Sequence, residues 1–204
     1  AAVAALGLEN GELEFGGEGM WIADSINGLD GEGGLASTGI PNGGKSWIEV
    51  TLEGPAYLEF YHKSLGEFSW SSPLQLSLDD KFVDLEWLNY YTDEPDWFRG
   101  VVEIPVGEHK VRWVVENNFT STDNVIIDLV EFSLVEEGEP EIYLEPEARE
   151  TEAPGFAFFE VEARAYPFPT YQWFRDGEPL EGEIARVLWL DNLWEDDSGE
   201  ITVV

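Results

Sequence analysis

Cysteine is absent from this 204-residue chain. Without thiols there is no disulfide framework and no cysteine zinc site, and the two histidines are too few for a zinc centre. Secreted animal domains often carry disulfides, so their absence favours a bacterial or archaeal extracellular protein, although the cytosol stays open.

Positive charge is the second shortage. The chain has 43 Asp and Glu residues against 10 Lys and Arg, a formal net charge of −33. Nucleic-acid binding is excluded, because phosphate contacts need cationic side chains, and an anionic membrane surface is disfavoured for the same reason. The carboxylates are either a solubilising surface for salty surroundings or, in part, ligands for Ca²⁺.

Long apolar runs are also missing, so no segment is predicted to span a membrane. Short alternating segments are present instead, such as Ser46–Glu53 and Tyr57–Lys63, punctuated by 21 Gly and 11 Pro. A period of two predicts strands, with turns at Gly54-Pro55 and Gly107-Glu108. No segment predicts a helix, so the fold class is predicted to be all-β.

A strand with a central tryptophan and a tight turn stands at Tyr171-Gln172-Trp173-Phe174-Arg175-Asp176-Gly177. With Val161 upstream and Asp197-Ser198-Gly199-Glu200-Ile201-Thr202-Val203 downstream, the chain resembles an intermediate-type immunoglobulin-like domain. The resemblance implies that Trp173 is buried on strand C and that Val161 and Val203 occupy the positions of the usual cysteines. It also implies that the chain stops within strand F, at Val204, and that strand G is absent.

The earlier part of the chain carries a second set of motifs: Ser46-Trp47-Ile48-Glu49, Gly54-Pro55, Asp96-Trp97, Val106–Trp113 and Ile126–Phe132. In this order they are similar to the jelly-roll modules, concanavalin-like and MAM-like, of large secreted bacterial proteins. The resemblance implies an extracellular binding or adhesion module without catalysis.

The predicted architecture is a jelly-roll β-sandwich over residues 9–136, followed by an immunoglobulin-like β-sandwich over residues 142–204. The acidic residues 137–141 are predicted to be a semi-stiff linker, since they include Pro140. Residues 1–8 are uncharged in a chain that is 26% charged. They are a signal remnant, a tail, or a strand that a partner receives.

Catalytic motifs are missing from the pattern. His62 and His109 each lie inside an alternating strand, where a histidine is more often structural than catalytic. There is no nucleophile elbow and no phosphate-binding glycine loop, and acidic residues are too abundant for any one pair to indicate a glycosidase. The sequence therefore predicts a protein that is not an enzyme. It indicates no definite cofactor, and Ca²⁺ is the one candidate.

Two groups of residues are candidates for binding. Oxygen ligands for Ca²⁺ lie in a glycine-rich loop and in a late strand: Asp24, Asn27, Asp30, Glu32 and Asp128. The alternatives are a solvated loop and, for Asp128, hydrogen bonding to backbone from a strand face shared with Ile126, Val130 and Phe132. A sugar-stacking platform is predicted from aromatic residues near acidic ones, with core or ordinary surface as the alternative: Trp87, Tyr90, Tyr91 and Trp97.

The last candidate is an assembly site. Ala2, Ala4, Leu6 and Leu8 alternate, so this strand could complete the open edge of a neighbouring copy at Ile201 and Val203. Copies joined in this way would form an extracellular structural or adhesion filament on a prokaryotic cell surface. The alternative is a carbohydrate- or protein-binding module with a spacer, from a larger secreted or surface protein. The predicted partners are accordingly the chain itself, another surface protein, or a glycan.

Overall fold

The computed structural model describes residues 13–31, 33–64, 74–83, 85, 97–117 and 124–204. Within these ranges the elements are β-strands and one 3₁₀ helix, Glu195–Asp197, so the predicted all-β class is confirmed. The chain divides into two compact units, unit 1 over Ala1–Leu134 and unit 2 over Val135–Val204. The described part contains no helix with the length and apolar character needed to cross a membrane.

Unit 1 is built on one eight-stranded antiparallel sheet. Its strands are β1 (Leu13–Gly17), β2 (Met20–Asp24), β3 (Gly34–Thr38), β4 (Lys45–Ser64), β5 (Leu74–Leu78), β6 (Lys81–Val83), β7 (Phe98–Glu116) and β8 (Val125–Leu134). The order is β2-β3-β8-β4-β7-β5-β6, and β1 pairs with β4. Strand β4 pairs with β7 along most of its length, with β1 beside its first half and β8 beside its second. One hydrophobic core collects side chains from both halves of β4, as in a β-sandwich.

The turns predicted at Gly54-Pro55 and Gly107-Glu108 are absent, because β4 and β7 run through these residues. Gly54 and Gly107 are partners in the middle of the pair. A Cβ at Gly54 would collide with the backbone oxygens of Ile104 and Pro105, and Gly107 has a φ of 105°. Glycine is therefore needed to continue both strands through this point rather than to reverse the chain.

A β-bulge in β7 accompanies the two glycines. The partner of β4 steps from Gly107 to Ile104 while β4 itself advances by two residues, so β7 carries one residue more. Ile104 is buried before the bulge, whereas Val111 and Trp113 are buried after it. The bulge therefore switches the inward-facing side chains from even-numbered to odd-numbered residues. Val106, which would share the face of Ile104 in a strand without a bulge, is exposed.

A second bulge lies in β8 at Leu129, which has a positive φ of 47°. It corrects the prediction that Asp128 and Val130 share one face. Val130 packs in the main core with Ile127. Asp128 is two residues from Ile126 and therefore lies on the same face of β8 as Ile126. Ile126 belongs to a separate small cluster with Ala36 and Trp97.

Unit 2 contains seven short strands: β9 (Glu141–Leu144), β10 (Gly155–Glu160), β11 (Glu162–Arg164), β12 (Trp173–Arg175), β13 (Glu178–Pro179), β14 (Val187–Leu193) and β15 (Ile201–Val203). Strand β10 pairs with β14, and β11 pairs with β9. Strand β12 lies between β13 and β15.

Trp173 is the centre of unit 2, as predicted. Its side chain is 0% exposed and packs against Val161 and Leu188. Its indole Nε1–H donates a hydrogen bond of 2.8 Å to the Ala185 carbonyl oxygen. Val203 is half-buried against the same cluster, so both valines at the predicted cysteine positions pack around the tryptophan.

Residues 137–141, predicted as the linker, belong to unit 2 and contact the rest of it. Glu137 forms a parallel bridge with Tyr166, and the Gly138 N–H donates to the Tyr166 carbonyl oxygen at 3.1 Å. Glu141 already belongs to β9. Backbone hydrogen bonds therefore tie this acidic segment to unit 2.

Candidate functional site

Unit 2 has an open groove of about 790 Å³ beside β15. One wall is the segment 149–153. The other is formed by residues of the loop before β15 and the first residue of β15: Trp194, Glu195, Asp197, Ser198, Gly199 and Ile201. Apolar side chains from β10, β14 and β15 line it: Ala157, Phe159, Leu190, Leu193 and Ile201. Phe159, Leu190 and Ile201 also pack against the Trp173 cluster, so the groove leads to the hydrophobic core.

Strand β15 has one paired edge and one open edge. Its residues Ile201 and Val203 pair with β12, and just beyond them Val204 and Gln172 exchange two backbone hydrogen bonds of 2.9 and 3.0 Å. Among the described residues, no strand pairs with the other edge of β15. An open edge presents free N–H and C=O groups to an added strand. This edge adjoins the groove at Ile201.

The loop between β14 and β15 shapes one end of the groove. The Asp197 carboxylate accepts a hydrogen bond of 2.7 Å from the Trp194 N–H, which caps the 3₁₀ helix. The Arg175 guanidinium donates to the backbone oxygen and to the carboxylate of Asp197. These contacts anchor the loop to β12 and hold the groove end near Gly199.

The rim of the groove is acidic, with carboxylates from four residues: Glu150, Glu152, Glu195 and Asp197. Arg149 also lies there, but its guanidinium is 4.8 Å from the centre of the Phe158 ring and 3.7 Å from the Glu147 carboxylate. Like charges near this rim repel one another, so an uncharged occupant is favoured over an acidic one.

The predicted acceptor residues differ in their positions. Ile201 lines the groove, whereas Val203 is half-buried against the Trp173 cluster. The donor residues Ala2, Ala4, Leu6 and Leu8 lie outside the described residues. Sequence reasoning missed Phe159 and Leu190 as lining residues. Their alternation with their neighbours predicts an inward face, but it does not show whether another strand covers that face.

Two of the candidate calcium ligands, Asp24 and Asp128, accept hydrogen bonds from nearby donors. Asp24 accepts from the N–H groups of Ile26 and Asn27 at 2.8 and 3.0 Å and from the Asn27 side chain at 2.8 Å. The Asn27 side-chain hydrogen bond is the largest cause that lowers the pKa of Asp24, followed by the backbone donors. Glu32 lies outside the described residues. Within the described part, no three His, Cys, Asp or Glu side chains come together in a way that could hold a metal ion.

Asp128 joins the loop before β3 to β8. Its carboxylate accepts hydrogen bonds from the N–H of Leu29 at 2.7 Å and from that of Leu129 at 2.8 Å. This is the backbone role that the sequence analysis gave as the alternative to calcium binding. Burial raises its pKa, while these donors and the Asp30 N–H act to lower it. The structure thus brings Asp30 close to Asp128.

Replacing Asp128 with alanine is expected to free the loop before β3. The Leu29 and Leu129 N–H groups would lose their acceptor, which should lower the unfolding free energy by roughly 3 kcal/mol. Asp128→Asn keeps an acceptor oxygen and should cost less. Hydrogen exchange at Leu29 measures the effect, and unchanged protection in Asp128→Ala would show that the carboxylate does not hold the loop.

Trp97 is the one residue of the predicted sugar-stacking platform that lies among the described residues, and it is buried. Trp97 is 1% exposed and packs with Ala36 and Ile126, and the Lys63 Nζ lies 5.0 Å from the centre of its ring. A buried indole cannot stack on a sugar. Trp97 is therefore a core residue, which the sequence analysis gave as the alternative to sugar binding. Trp87, Tyr90 and Tyr91 lie outside the described residues.

Comparisons with known proteins find only distant similarity. No protein-family model matches the chain, and no curated protein matches it. Among solved structures, the secreted serine protease VesC from Vibrio cholerae is 18% identical with a TM-score of 0.41, over 64% of this chain and 25% of that chain. A β-1,2-glucanase from Parabacteroides distasonis is 10% identical with a TM-score of 0.42, over 95% and 36%.

The tandem immunoglobulin repeats of Dlar are 16% identical with a TM-score of 0.30, over 81% of this chain and 82% of that chain. The chain therefore spans about a quarter of the length of the protease and about a third of that of the glucanase. At these levels, the likenesses carry no argument about activity or partners.

Proposed function

We propose that this chain is a non-catalytic, extracellular structural or adhesion protein whose copies assemble head to tail. Residues 1–8 of one copy add a strand to β15 of the next, in unit 2. The observation that carries the proposal is the groove beside the open edge of β15, which leads to the Trp173 core. In this proposal unit 1 is a jelly-roll module and unit 2 is an immunoglobulin-like module whose β15 edge receives the neighbour's strand.

The donor segment suits the groove in pattern and charge. In an extended strand Ala2, Ala4, Leu6 and Leu8 lie on one face, which would enter the groove while the backbone pairs with β15. Eight extended residues span about 26 Å, more than enough to follow β15. The segment has no ionisable side chain, so it passes the acidic rim without side-chain repulsion.

Strand donation of this kind joins two different surfaces, so repetition makes an open filament rather than a closed dimer. Each copy carries a formal net charge of −33, and the contacts must bring such copies together. Cations reduce this repulsion by screening it. We therefore propose that assembly requires salt or Ca²⁺.

The test is the assembly state of the chain, by electron microscopy and light scattering, in salt, with Ca²⁺ and with chelator. We expect filaments that disappear when residues 1–8 are deleted or when Leu6 and Leu8 are both changed to Asp. The matched control is Val3→Asp with Ala5→Asp. It adds the same charge on the opposite face of the strand, and it should still assemble at high salt.

A folded monomer under every one of these conditions would refute the proposal. Filaments of the Leu6→Asp/Leu8→Asp variant would also count against it, because they would show that the even face of the segment is not buried. In either case the chain is better described as a binding module with a spacer.

A further inference from the structure

We infer that the donated strand runs antiparallel to β15, with Leu6 and Leu8 in the groove and Ala2 and Ala4 on the Val203 side. This inference rests on the proposed function and adds the direction of the strand. Two observations carry it: the position of the groove along β15, and the place where the chain enters unit 2.

The groove is not centred on β15. It is lined by Ser198, Gly199 and Ile201, at the start of the strand. Val203, near the other end, pairs with Trp173 and packs against its cluster. The groove therefore has space for large side chains at the Ile201 end of β15. At the Val203 end only small side chains fit.

The donor has the matching gradient of size. Its inward residues grow from Ala2 and Ala4 to Leu6 and Leu8. Burial of a leucine stabilises more than burial of an alanine, because it removes more apolar area from water. Placing the leucines beside Ile201 puts the later donor residues next to the earlier residue of β15. That alignment is antiparallel.

The ends of unit 2 favour the same direction. Val204 is hydrogen-bonded to Gln172, which lies with Tyr166 in the connection between β11 and β12. The chain's own Gly138 is bonded to Tyr166, so the polypeptide enters unit 2 at this end. A parallel donor would send its continuation, from Leu8 towards its own β1, to this occupied end. An antiparallel donor sends it out near Gly199, at the opposite end.

The direction can be read from introduced disulfides, because the chain has no cysteine of its own. Thr202 and Glu200 are exposed, and Val3, Ala5 and Gly7 lie on the outward face of the proposed donor. With Ala5 opposite Thr202, Gly7 meets Glu200 in the antiparallel direction.

In the parallel direction it is Val3 that meets Glu200. The pair Ala5→Cys/Thr202→Cys should cross-link in either direction and so tests strand addition itself. Under oxidation we expect ladders of covalent oligomers, on non-reducing gels, from Ala5→Cys/Thr202→Cys and from Gly7→Cys/Glu200→Cys. We expect single-chain bands from Val3→Cys/Glu200→Cys.

Ladders from the Val3 pair, and none from the Gly7 pair, would overturn the antiparallel direction and leave the proposed function standing. No ladder from any pair, with monomers in light scattering, would overturn the proposed function as well.

A composition-preserving variant gives a second readout. Changing Ala2 and Ala4 to Leu, and Leu6 and Leu8 to Ala, reverses the size gradient and keeps the total hydrophobicity of the segment. We expect the critical concentration for assembly to rise at least about tenfold, which corresponds to roughly 1.4 kcal/mol. An unchanged critical concentration would contradict the size-matching argument.

Discussion

Lowering the pH from about 6.5 to 4 is expected to remove about 3 kcal/mol of unfolding free energy from unit 1 through His62 alone. The His62 side chain is 0% exposed. It is stacked on Phe98 with 5.4 Å between ring centres, and its ring lies 6.2 Å from that of Phe60. Burial among these rings penalises the imidazolium and lowers the pKa of His62 to about 3.

The sign follows from which state binds the proton. In the unfolded chain His62 titrates near pH 6.5, whereas in the folded unit it stays neutral down to about pH 3. Between these values the unfolded state binds more protons. Stability is therefore lost as pH falls below about 6.5, by roughly 1.4 kcal/mol per pH unit, and the loss levels off near pH 3.

Denaturant unfolding of unit 1 across this pH range measures the effect against His62→Leu. Subtracting the variant cancels the contribution of the carboxylates that both proteins share. His109→Gln is the matched control with the opposite sign, because a hydrogen bond to the Asp79 carboxylate, 2.7 Å away, raises the pKa of His109. His109 stabilises the fold at low pH, and this contribution fades as pH rises. Parallel curves for wild type and His62→Leu would contradict the expectation.

Replacement of Trp173 by alanine is expected to remove about 3–5 kcal/mol from unit 2. The Trp173 side chain is fully buried between Val161 and Leu188, so its removal would leave a large cavity in the core of unit 2. The Ala185 carbonyl would also lose the indole N–H donor. Since small domains have unfolding free energies of about 5–15 kcal/mol, unit 2 would be close to unfolded.

Hydrogen exchange followed by mass spectrometry separates the two units in this experiment. Protection should fall across β10, β12, β14 and β15 and should persist in unit 1. Trp189→Ala is the matched control, since that indole is 44% exposed and its loss should cost much less. The groove residues Phe159, Leu190 and Ile201 pack on the same cluster, so Trp173→Ala should also abolish assembly. Full protection of unit 2 in Trp173→Ala would show that the tryptophan is not its core.

The sequence by itself determined the features that depend on local pattern. A two-residue alternation buries the same face of a strand wherever the strand lies, so the all-β class and the inward Val111 and Trp113 could be predicted. The Trp173 motif likewise indicated the core of unit 2. A carboxylate among apolar strand residues must find donors, which is why hydrogen bonding could be predicted for Asp128.

The tertiary structure alone decided where a strand switches its inward-facing side chains and which apolar faces are covered. The exposure of Val106 and the face of Asp128 depend on bulges. A bulge is a change of register between two paired strands, so the alternation within one strand does not show it. The burial of Trp97 against Ala36 and Ile126, and the groove between residues 149–153 and Ile201, join residues far apart in the chain. Alternation predicts that a face is apolar, but only packing between distant segments determines whether that face is covered.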